Sequence, residues 1–378
     1  MSIIKRFLSK IFIRIAFKKK NKGLDKKALL SFIVHPLYIS RDNHPNQLEL
    51  NSIIRVLSDL GYTVTVVDYR RKKVFGCYDL AIGFGDCYEY ALNENIAKKY
   101  ILYSTGSPAF IQNQMAIESL FRARKSCLLA GRYEENFTNS IRLTEDIWPN
   151  QLINSNGIIT IGNSYTKSLF QRFHDRVHSV HGMCFDLKLS DNQYLNRELL
   201  EPRSLVWFGG KGCLHKGLDL CIESVLKTDW KLYIVGPLDD EIFLFEDYIR
   251  NYPDNIVYLG FMSVHSDEFI DLMNKVPFSI LPSCSEGMAT SIITLAYNFG
   301  TIPIVTKQCG IDLDEHIIEI TSLSVEATQL AILQASNFSV DSILCRRKAL
   351  KAKFQETSKH SCFVKDFYQA IKLIEGDS

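Results

Sequence analysis

The segment Ser204–Val225 reads SLVWFGGKGCLHKGLDLCIESV. An apolar run with aromatic and β-branched residues comes first, then a glycine-rich loop, then a helical pattern of apolar residues. A second segment, Phe278–Val305, reads FSILPSCSEGMATSIITLAYNFGTIPIV and gives a buried strand, a polar loop, a helix and another strand. Strands that alternate with helices in this way predict an α/β domain with a parallel sheet.

The glycine-rich loop carries two lysines, Lys211 and Lys216, whose ammonium groups can neutralise a diphosphate. Glycines let the backbone approach a ligand closely, and the loop has them at Gly209, Gly210, Gly212 and Gly217. It is not a Walker loop, because Leu218 stands where that motif has its lysine. Two interpretations stay open: an anion site, or an ordinary glycine turn with solvated lysines.

The loop in the second segment carries an acid, Glu286, just before the helix. Backbone amides at a helix start can hold phosphate or sugar oxygens, and here they belong to Gly287, Met288 and Ala289. The carboxylate itself is either a ligand contact or an N-terminal helix charge.

The same alternation of strands and helices runs through the rest of the chain. The predicted strands are Ala28–Val34, Tyr62–Val67, Tyr78–Ile82, Ile101–Tyr103, Gly157–Ile161, Leu205–Phe208, Lys231–Val235, Ile256–Leu259, Phe278–Leu281 and Ile302–Val305. Amphipathic patterns predict helices over Gln47–Leu60 and Ser361–Glu375.

The length of 378 residues favours two domains, each with its own core. We expect a basic segment over 1–27, a Rossmann-like domain over 28–185, a linker over 186–203, a second Rossmann-like domain over 204–352, and a C-terminal helical segment over 353–378 that packs back on the first domain.

The composition, with 44 Lys and Arg against 42 Asp and Glu, is that of a globular protein and excludes a strongly basic nucleic-acid binder. The ten cysteines form no Cys-x-x-Cys pair and are expected to be reduced thiols. Residues 1–27 carry ten basic side chains and one acid. They are either an amphipathic helix that binds an anionic membrane surface or a solvated basic terminus.

Taken together, the two quoted segments resemble the donor lobe of the GT-B glycosyltransferases, in particular the retaining, nucleotide-sugar-dependent group 1 (family 4-like). In that group a Gly-Arg pair, a Lys-Gly pair and a Pro-Ser-x-x-Glu-Gly motif follow one another. Here Gly210-Lys211, Lys216-Gly217 and the run Pro282 to Gly287 stand in those places. The family usually has a second glutamate eight positions after the first, which binds the ribose, and this chain has Thr294 there.

The resemblance implies two Rossmann-like doubly wound domains that face a cleft, and a metal-independent glycosyltransferase of the hexosyltransferase type, without a cofactor. Lys211, Lys216 and Glu286 would be its catalytic residues. The donor, a nucleotide-diphosphate sugar, would be bound by Gly209, Gly210, Gly236, Pro237, Ser283, Gly287, Met288, Ala289, Thr290, Ser291 and Thr294.

Two loops of the first domain stand where this fold places cleft and acceptor contacts. Their polar residues are Arg41, Asn43 and His44 in the first loop, and Ser104, Thr105, Gly106 and Ser107 in the second. The acceptor would be a glycan or a lipid-linked glycan in surface polysaccharide synthesis. This predicts a cytoplasmic protein, peripheral on the inner face of the membrane, with no nucleic-acid partner.

Two other functions remain open. Thr294 and the missing glycines near His44 also fit a catalytically degenerate, nucleotide-sugar-binding partner of another transferase. A sugar-nucleotide epimerase or a phosphorylase could share the architecture. The spacing of His174, His178 and His181 would suit a metal only on a helix, and Val177 and Val180 favour a strand, so we expect no metal site.

Overall fold

The computed structural model describes residues 15–17, 26–34, 45–125, 140–145, 148–189 and 192–376. The chain divides into two compact units. Unit 1 consists of Met1–Pro108, Asp146–Phe185 and His360–Ser378, and unit 2 consists of Ala109–Glu145 and Asp186–Lys359. Residues 109–145, which the sequence placed with the first domain, therefore group with unit 2.

Unit 1 is built on a seven-stranded sheet of order β1-β3-β2-β4-β5-β6-β7. All neighbouring strands are parallel except β1, which pairs antiparallel with β3. The strands are β1 (Ile15–Phe17), β2 (Lys26–Phe32), β3 (Tyr62–Asp68), β4 (Tyr78–Gly83), β5 (Ala97–Ser104), β6 (Gly157–Ile161) and β7 (Val177–Val180). Its helices are α1 (Pro45–Asp59), α2 (Gly85–Asn93), α4 (Pro149–Asn154), α5 (Ser164–Phe170) and α12 (His360–Gly376).

Unit 2 is built on a six-stranded, wholly parallel sheet of order β10-β9-β8-β11-β12-β13. The strands are β8 (Ser204–Phe208), β9 (Lys231–Val235), β10 (Ile256–Gly260), β11 (Phe278–Leu281), β12 (Ile302–Val305) and β13 (Ile318–Glu319). Its helices are α3 (Ala109–Lys125), α6 (Leu218–Val225), α7 (Glu246–Asn251), α8 (Asp267–Lys275), α9 (Thr290–Phe299), α10 (Val325–Ser336) and α11 (Val340–Thr357). Short 3₁₀ turns cover Gln193–Leu195, Ile242–Leu244 and Lys307–Cys309.

The strand order of unit 2 reverses next to β8. The chain passes from β8 to β9 and β10 on one side, and then returns to place β11 on the other side of β8. In open α/β sheets, ligands bind beyond the carboxyl ends of the strands at such a reversal. The loops that follow β8 and β11 are therefore the ones that the topology places at a binding crevice.

Each unit has its own apolar core between sheet and helices. In unit 2, Val206 and Val235 of the sheet pack with Phe269, Leu295 and Phe299 of the helices, all nearly inaccessible to solvent. In unit 1, the C-terminal helix α12 packs on the sheet. Its Phe367 ring stands edge-on to Tyr103 of β5 at 5.4 Å between centroids.

The expected α/β class with two doubly wound units is confirmed. At residues 15–17 the chain forms a strand and not the amphipathic helix that was one of two expectations for residues 1–27. Ile15–Phe17 forms a strand whose ladder pairs Ile15 with Val66, and Lys26 already begins β2. The rest of the segment lies outside the described residues. Among the residues that the structure describes, no helix is both long and apolar enough to cross a membrane.

Candidate active site

The loops after β8 and β11 touch each other at Gly217 and Pro282. Gly217 has φ +65°, and a Cβ atom there would lie 2.3 Å from the carbonyl oxygen of Pro282. Only glycine combines this left-handed backbone with so close an approach. The indole Nε1 of Trp207 in β8 donates to the carbonyl oxygen of Lys216 at 3.2 Å, which attaches the residue before Gly217 to the strand.

This contact brings Lys216 to Glu286. The Lys216 ammonium donates a hydrogen bond to Glu286 Oε1, and the two side chains are 11% and 14% exposed. Ser283 Oγ donates to the same oxygen at 3.1 Å, and Arg142 Nη1 lies 3.9 Å from it. Two cations and a hydroxyl thus converge on one carboxylate at the crevice.

The charge of Glu286 is stabilised by these neighbours. Burial by itself would raise the pKa of the carboxyl, but Lys216, Arg142 and His215 outweigh burial and lower that pKa to about 2. Glu286 is therefore an anion at neutral pH. It is a hydrogen-bond acceptor for ammonium, guanidinium or sugar hydroxyl groups rather than a proton donor.

His215 ties the two loops together from inside. Its Nε2 lies 2.5 Å from the carbonyl oxygen of Ser285, and its Nδ1 lies 3.2 Å from that of Ile141. Burial lowers the pKa of the imidazole to about 4, so the ring is neutral at pH 7. The carbonyl oxygen of His215 also accepts from the Cys284 amide at 2.9 Å. The neutral ring has one N–H and donates to one of these two oxygens, while the Cys284 thiol also lies 3.3 Å from Nδ1. The buried ring thus lies in contact with the loop after β11 and with residue 141.

The glycine-rich loop is organised by a carboxylate that the sequence did not reveal. Glu241 is buried and accepts hydrogen bonds from the amides of Gly212 and Cys213 at 2.8 Å and 2.6 Å. These amides are therefore occupied within the protein. Lys211 lies at the exposed tip of the loop, and its ammonium bonds Asp240 at 2.5 Å.

Gly236 brings the start of the loop after β9 against the loop after β8. A Cβ atom at Gly236 would lie 2.0 Å from the carbonyl oxygen of Gly209, so no larger residue fits. Gly210 has open space where its side chain would be, and Pro237 is exposed. The loop after β9 thus contacts the loop after β8 through Gly236 and Gly209.

The start of helix α9 corrects one expectation. We expected the Ala289 amide to face a ligand, but it donates to the carbonyl oxygen of Cys309 at 2.8 Å. Ala289 lies just before α9, which begins at Thr290. The first bond within the helix is made by the Ile293 amide. The amides of Thr290 and Ser291 precede that bond, which leaves them as the polar start of α9.

Thr294 lies one turn further along α9. Its Oγ1 donates to the carbonyl oxygen of Thr290 at 2.8 Å, so the hydroxyl proton is used within the helix. The oxygen can still accept a hydrogen bond, as an uncharged and shorter group than a glutamate.

No family model matches this sequence, and no curated protein matches it. Solved structures do. HepE of Anabaena, in complex with UDP, superposes with a TM-score of 0.56 at 11% identity, over 92% of this chain and 100% of HepE. A glycosyltransferase from Rickettsia africae ESF-5 gives a TM-score of 0.51 at 12% identity, over 94% and 100%. The chain has the GT-B fold.

TarM of S. aureus is a third similar structure, with a TM-score of 0.50 at 12% identity. The superposition covers 77% of this chain and 54% of TarM, so the chain spans about half the length of that protein. At identities this low, the likeness establishes the GT-B fold and leaves the activity to be argued from the site.

In unit 1 of the GT-B fold, Ser104 is the last residue of β5, and Thr105 to Ser107 follow it. Ser104 Oγ donates to the carbonyl oxygen of Gly106 at 3.0 Å, Thr105 is exposed, and Ser107 is buried. The other predicted cleft residues, Arg41, Asn43 and His44, lie outside the described residues. A buried carboxyl that the sequence analysis missed, Glu49 of α1, lies near Tyr103 of β5.

The histidines that we considered for a metal are used in other ways. Val177–Val180 forms β7, His174 Nε2 lies 2.9 Å from the carbonyl oxygen of Ser155, and His181 Nδ1 lies 3.5 Å from Asp366. Within the described ranges, no group of three or more His, Cys, Asp and Glu side chains is placed to hold a metal ion. The nine cysteines of those ranges carry free thiols.

Proposed function

We propose that this chain is a glycosyltransferase that takes its sugar from a nucleotide-diphosphate donor bound by unit 2. The observation that carries the proposal is the Lys216–Glu286 pair, which lies where the strand order of unit 2 reverses. It joins a cation suited to a diphosphate with an anion suited to sugar hydroxyls. The GT-B fold supports the proposal, since the HepE structure of this fold holds UDP and glucose.

In the proposed reaction, the bond between the sugar C1 and the diphosphate oxygen breaks as the acceptor oxygen bonds C1. Lys216 stabilises the negative charge that develops on the leaving diphosphate. Lys211, at the tip of the same loop, is the second cation that the sequence assigns to this role. Glu286 accepts hydrogen bonds from the donor sugar.

We propose transfer with retention of anomeric configuration, and the leaving phosphate then takes the proton of the acceptor hydroxyl. No protein nucleophile and no metal is needed for this route. Ser283, which bonds Glu286, and the residues Thr290, Ser291 and Thr294 of α9 complete the proposed donor site. Ser104 to Ser107 are the proposed acceptor contacts in unit 1.

The proposed acceptor is a glycan or lipid-linked glycan in surface polysaccharide synthesis, on the inner face of the cell membrane. Ten basic side chains in residues 1–27 support this location, since each contributes about 1 kcal/mol near an anionic leaflet. Flotation with liposomes that contain anionic lipid tests it. The full chain should float, and a full-length variant with the eight Lys and Arg residues of 1–25 replaced by Gln should not, whereas equal flotation would refute the membrane role.

The decisive experiment is a thermal-shift screen with UDP-, GDP- and ADP-sugars, with a CMP-sugar, which has a single phosphate, for comparison. An assay for release of the nucleoside diphosphate follows. A ligand at a hundred times its dissociation constant adds about 2.7 kcal/mol of stability. We expect one nucleotide class to stabilise the chain, and Lys216→Ala to abolish that shift and the turnover. No shift with any nucleotide sugar would refute the proposal.

One observation favours a second candidate, a nucleotide-sugar-binding partner without activity. Thr294 replaces the acid that the family uses for the ribose, and its hydroxyl proton is bonded within α9. Tight donor binding without hydrolysis or transfer would establish this alternative. An altered sugar nucleotide as product would instead indicate an epimerase.

A further inference from the structure

A segment outside the sheet of unit 2 lies directly against the glycine-rich loop. The carbonyl oxygen of Ser140 accepts from the amide of His215 at 2.9 Å, and that of Ile141 lies 3.2 Å from the His215 ring. Residues 140–142 thus run along the loop that carries Lys216.

Helix α3 holds both this segment and the loop. Arg122 of α3 donates through Nε and Nη2 to the buried carboxylate of Asp219 at 3.1 Å and 3.0 Å, and Nη2 also reaches the carbonyl oxygen of Leu214 at 3.0 Å. Gln112 Nε2 donates to the carbonyl oxygen of Arg142 at 3.1 Å. Two bonds of 2.9 Å between Asn113 and the backbone of Thr144 extend the attachment. Arg142 therefore has a fixed backbone.

The backbone and side chain of Arg142 are both constrained. Its φ is +54°, a left-handed conformation that is uncommon for a residue with a side chain. The aliphatic part of the Arg142 side chain lies against Gly212. A Cβ atom added to Gly212 would lie 2.3 Å from Arg142 Cδ. Beyond this contact, Nη1 lies 3.9 Å from Glu286 Oε1.

The site therefore holds two cations, Lys216 and Arg142, around the single carboxylate of Glu286. The guanidinium is partly accessible, since 43% of the Arg142 side chain is exposed. Lys211, the second cation that the sequence pattern suggested, instead bonds Asp240 on a largely exposed part of the loop. A diphosphate carries more charge than one ammonium can balance, and a planar guanidinium matches two phosphate oxygens at once.

We infer that Arg142, rather than Lys211, is the second cation that binds the diphosphate of the donor together with Lys216. The inference rests on the proposed function. It assigns part of the donor site to a residue about 60 positions before the donor-lobe motifs, which is a separation on the scale of a small domain. On binding, the guanidinium exchanges its long contact with Glu286 for phosphate oxygens. Glu286 is then available to the sugar.

The test measures the affinity of the full chain for UDP, GDP and ADP, and for inorganic pyrophosphate, by calorimetry. For whichever of these the wild-type chain binds, Arg142→Gln should weaken binding about tenfold to a hundredfold, the effect of one charge-assisted hydrogen bond. Arg142→Lys keeps the positive charge but loses the planar guanidinium. Its affinity should lie between those of the wild type and Arg142→Gln. Lys211→Gln should weaken binding less than Arg142→Gln.

Arg124→Gln is the matched control, because Arg124 is an exposed arginine of α3. It removes the same charge from an exposed position of α3, and the affinity of this variant should equal that of the wild type. The unfolding temperature of each variant without ligand shows whether it is folded. If the Arg142→Gln variant is unfolded, Arg142→Lys takes its place, and Arg142→Lys should then bind the probe more weakly than Lys211→Gln does.

Affinity of the Arg142 variants within about twofold of wild type, or a larger loss in Lys211→Gln, would overturn the inference, since a lost charge-assisted bond costs more than that. If the wild-type chain binds none of the four probes, the proposed function itself fails. The two failures are therefore distinguishable.

Discussion

Lys216 donates a hydrogen bond to Glu286 although 70 positions separate the two residues in the chain. The parallel order of β8 and β11 places their following loops side by side, and Gly217 lets the loops touch at Pro282. The pair is nearly buried, so neither charge can be removed without consequence for the other.

Replacing either member of the pair should destabilise unit 2. We expect Lys216→Met and Glu286→Gln each to lower the free energy of unfolding by about 1–3 kcal/mol, because each leaves an uncompensated group. The double variant should lose less than the sum of the two. Urea denaturation measures all three, and strict additivity would contradict a direct interaction. Lys211→Met, whose partner Asp240 is exposed, is the control and should unfold as the wild type does.

The ion pair between Arg122 and Asp219 should be important for stability. Asp219 is almost inaccessible to solvent, so Arg122→Gln leaves a buried carboxylate without its cation. We expect a loss of about 3–5 kcal/mol in the free energy of unfolding. Adding Asp219→Asn should recover part of it, since the uncompensated charge is then gone. If Arg122→Gln and the exposed Arg124→Gln unfold alike, the pair is not stabilising.

Gly217 and Gly210 form a matched pair of glycines in the same loop. Gly217→Ala must place a Cβ atom against the Pro282 carbonyl at a left-handed φ, and should cost about 1–3 kcal/mol or more. Gly210→Ala has open space, and should change stability by less than about 0.5 kcal/mol. Equal thermal unfolding of the two variants would show that the loop does not need the close contact.

Glu49 should make unit 1 less stable as the pH rises. Burial raises the pKa of its carboxyl from 4.5 to about 7, and a weaker interaction with Tyr103 opposes this. Between those values the folded chain keeps a proton that the unfolded chain releases, so stability falls as pH rises through this window. Glu49→Gln removes this dependence. The unfolding temperature of wild type minus that of Glu49→Gln should therefore decrease from pH 5 to pH 8.

The control is Glu94→Gln, at an exposed glutamate of the same unit. Comparing the two variants removes the pH effects that are common to the whole chain. A constant difference for Glu49→Gln would show that Glu49 titrates normally in the folded chain.

The secondary structure around Lys216 and Glu286 could be predicted from local sequence. The strand predicted over Leu205–Phe208 corresponds to β8, which begins one residue earlier at Ser204, and the helical pattern after the glycine-rich loop corresponds to α6. Helix α1 was predicted from Gln47 and begins at Pro45. The apolar periodicity of strands and helices involves residues within a few positions of one another, so a single sequence is enough to predict these elements.

Lys216 and Glu286 could also be predicted as site residues, since each lies in a recognisable motif in the loop after a predicted strand. The sequence did not select Arg142, Arg122 or Glu241. A lone arginine or glutamate in a loop carries no local signal, and the use of these residues depends on contacts between segments many positions apart. The Ala289 amide was misjudged for the same reason, because the Cys309 carbonyl that occupies it belongs to another loop.

Local patterns in the sequence thus predict the α/β class, ten of the strands and the two motifs that carry Lys216 and Glu286. Which charged side chains meet depends on contacts between distant segments. Periodicity and turn chemistry are local properties of the chain, whereas the pairing of Lys216 with Glu286 and Arg142 depends on the strand order of the sheet and on a helix that packs against it from outside.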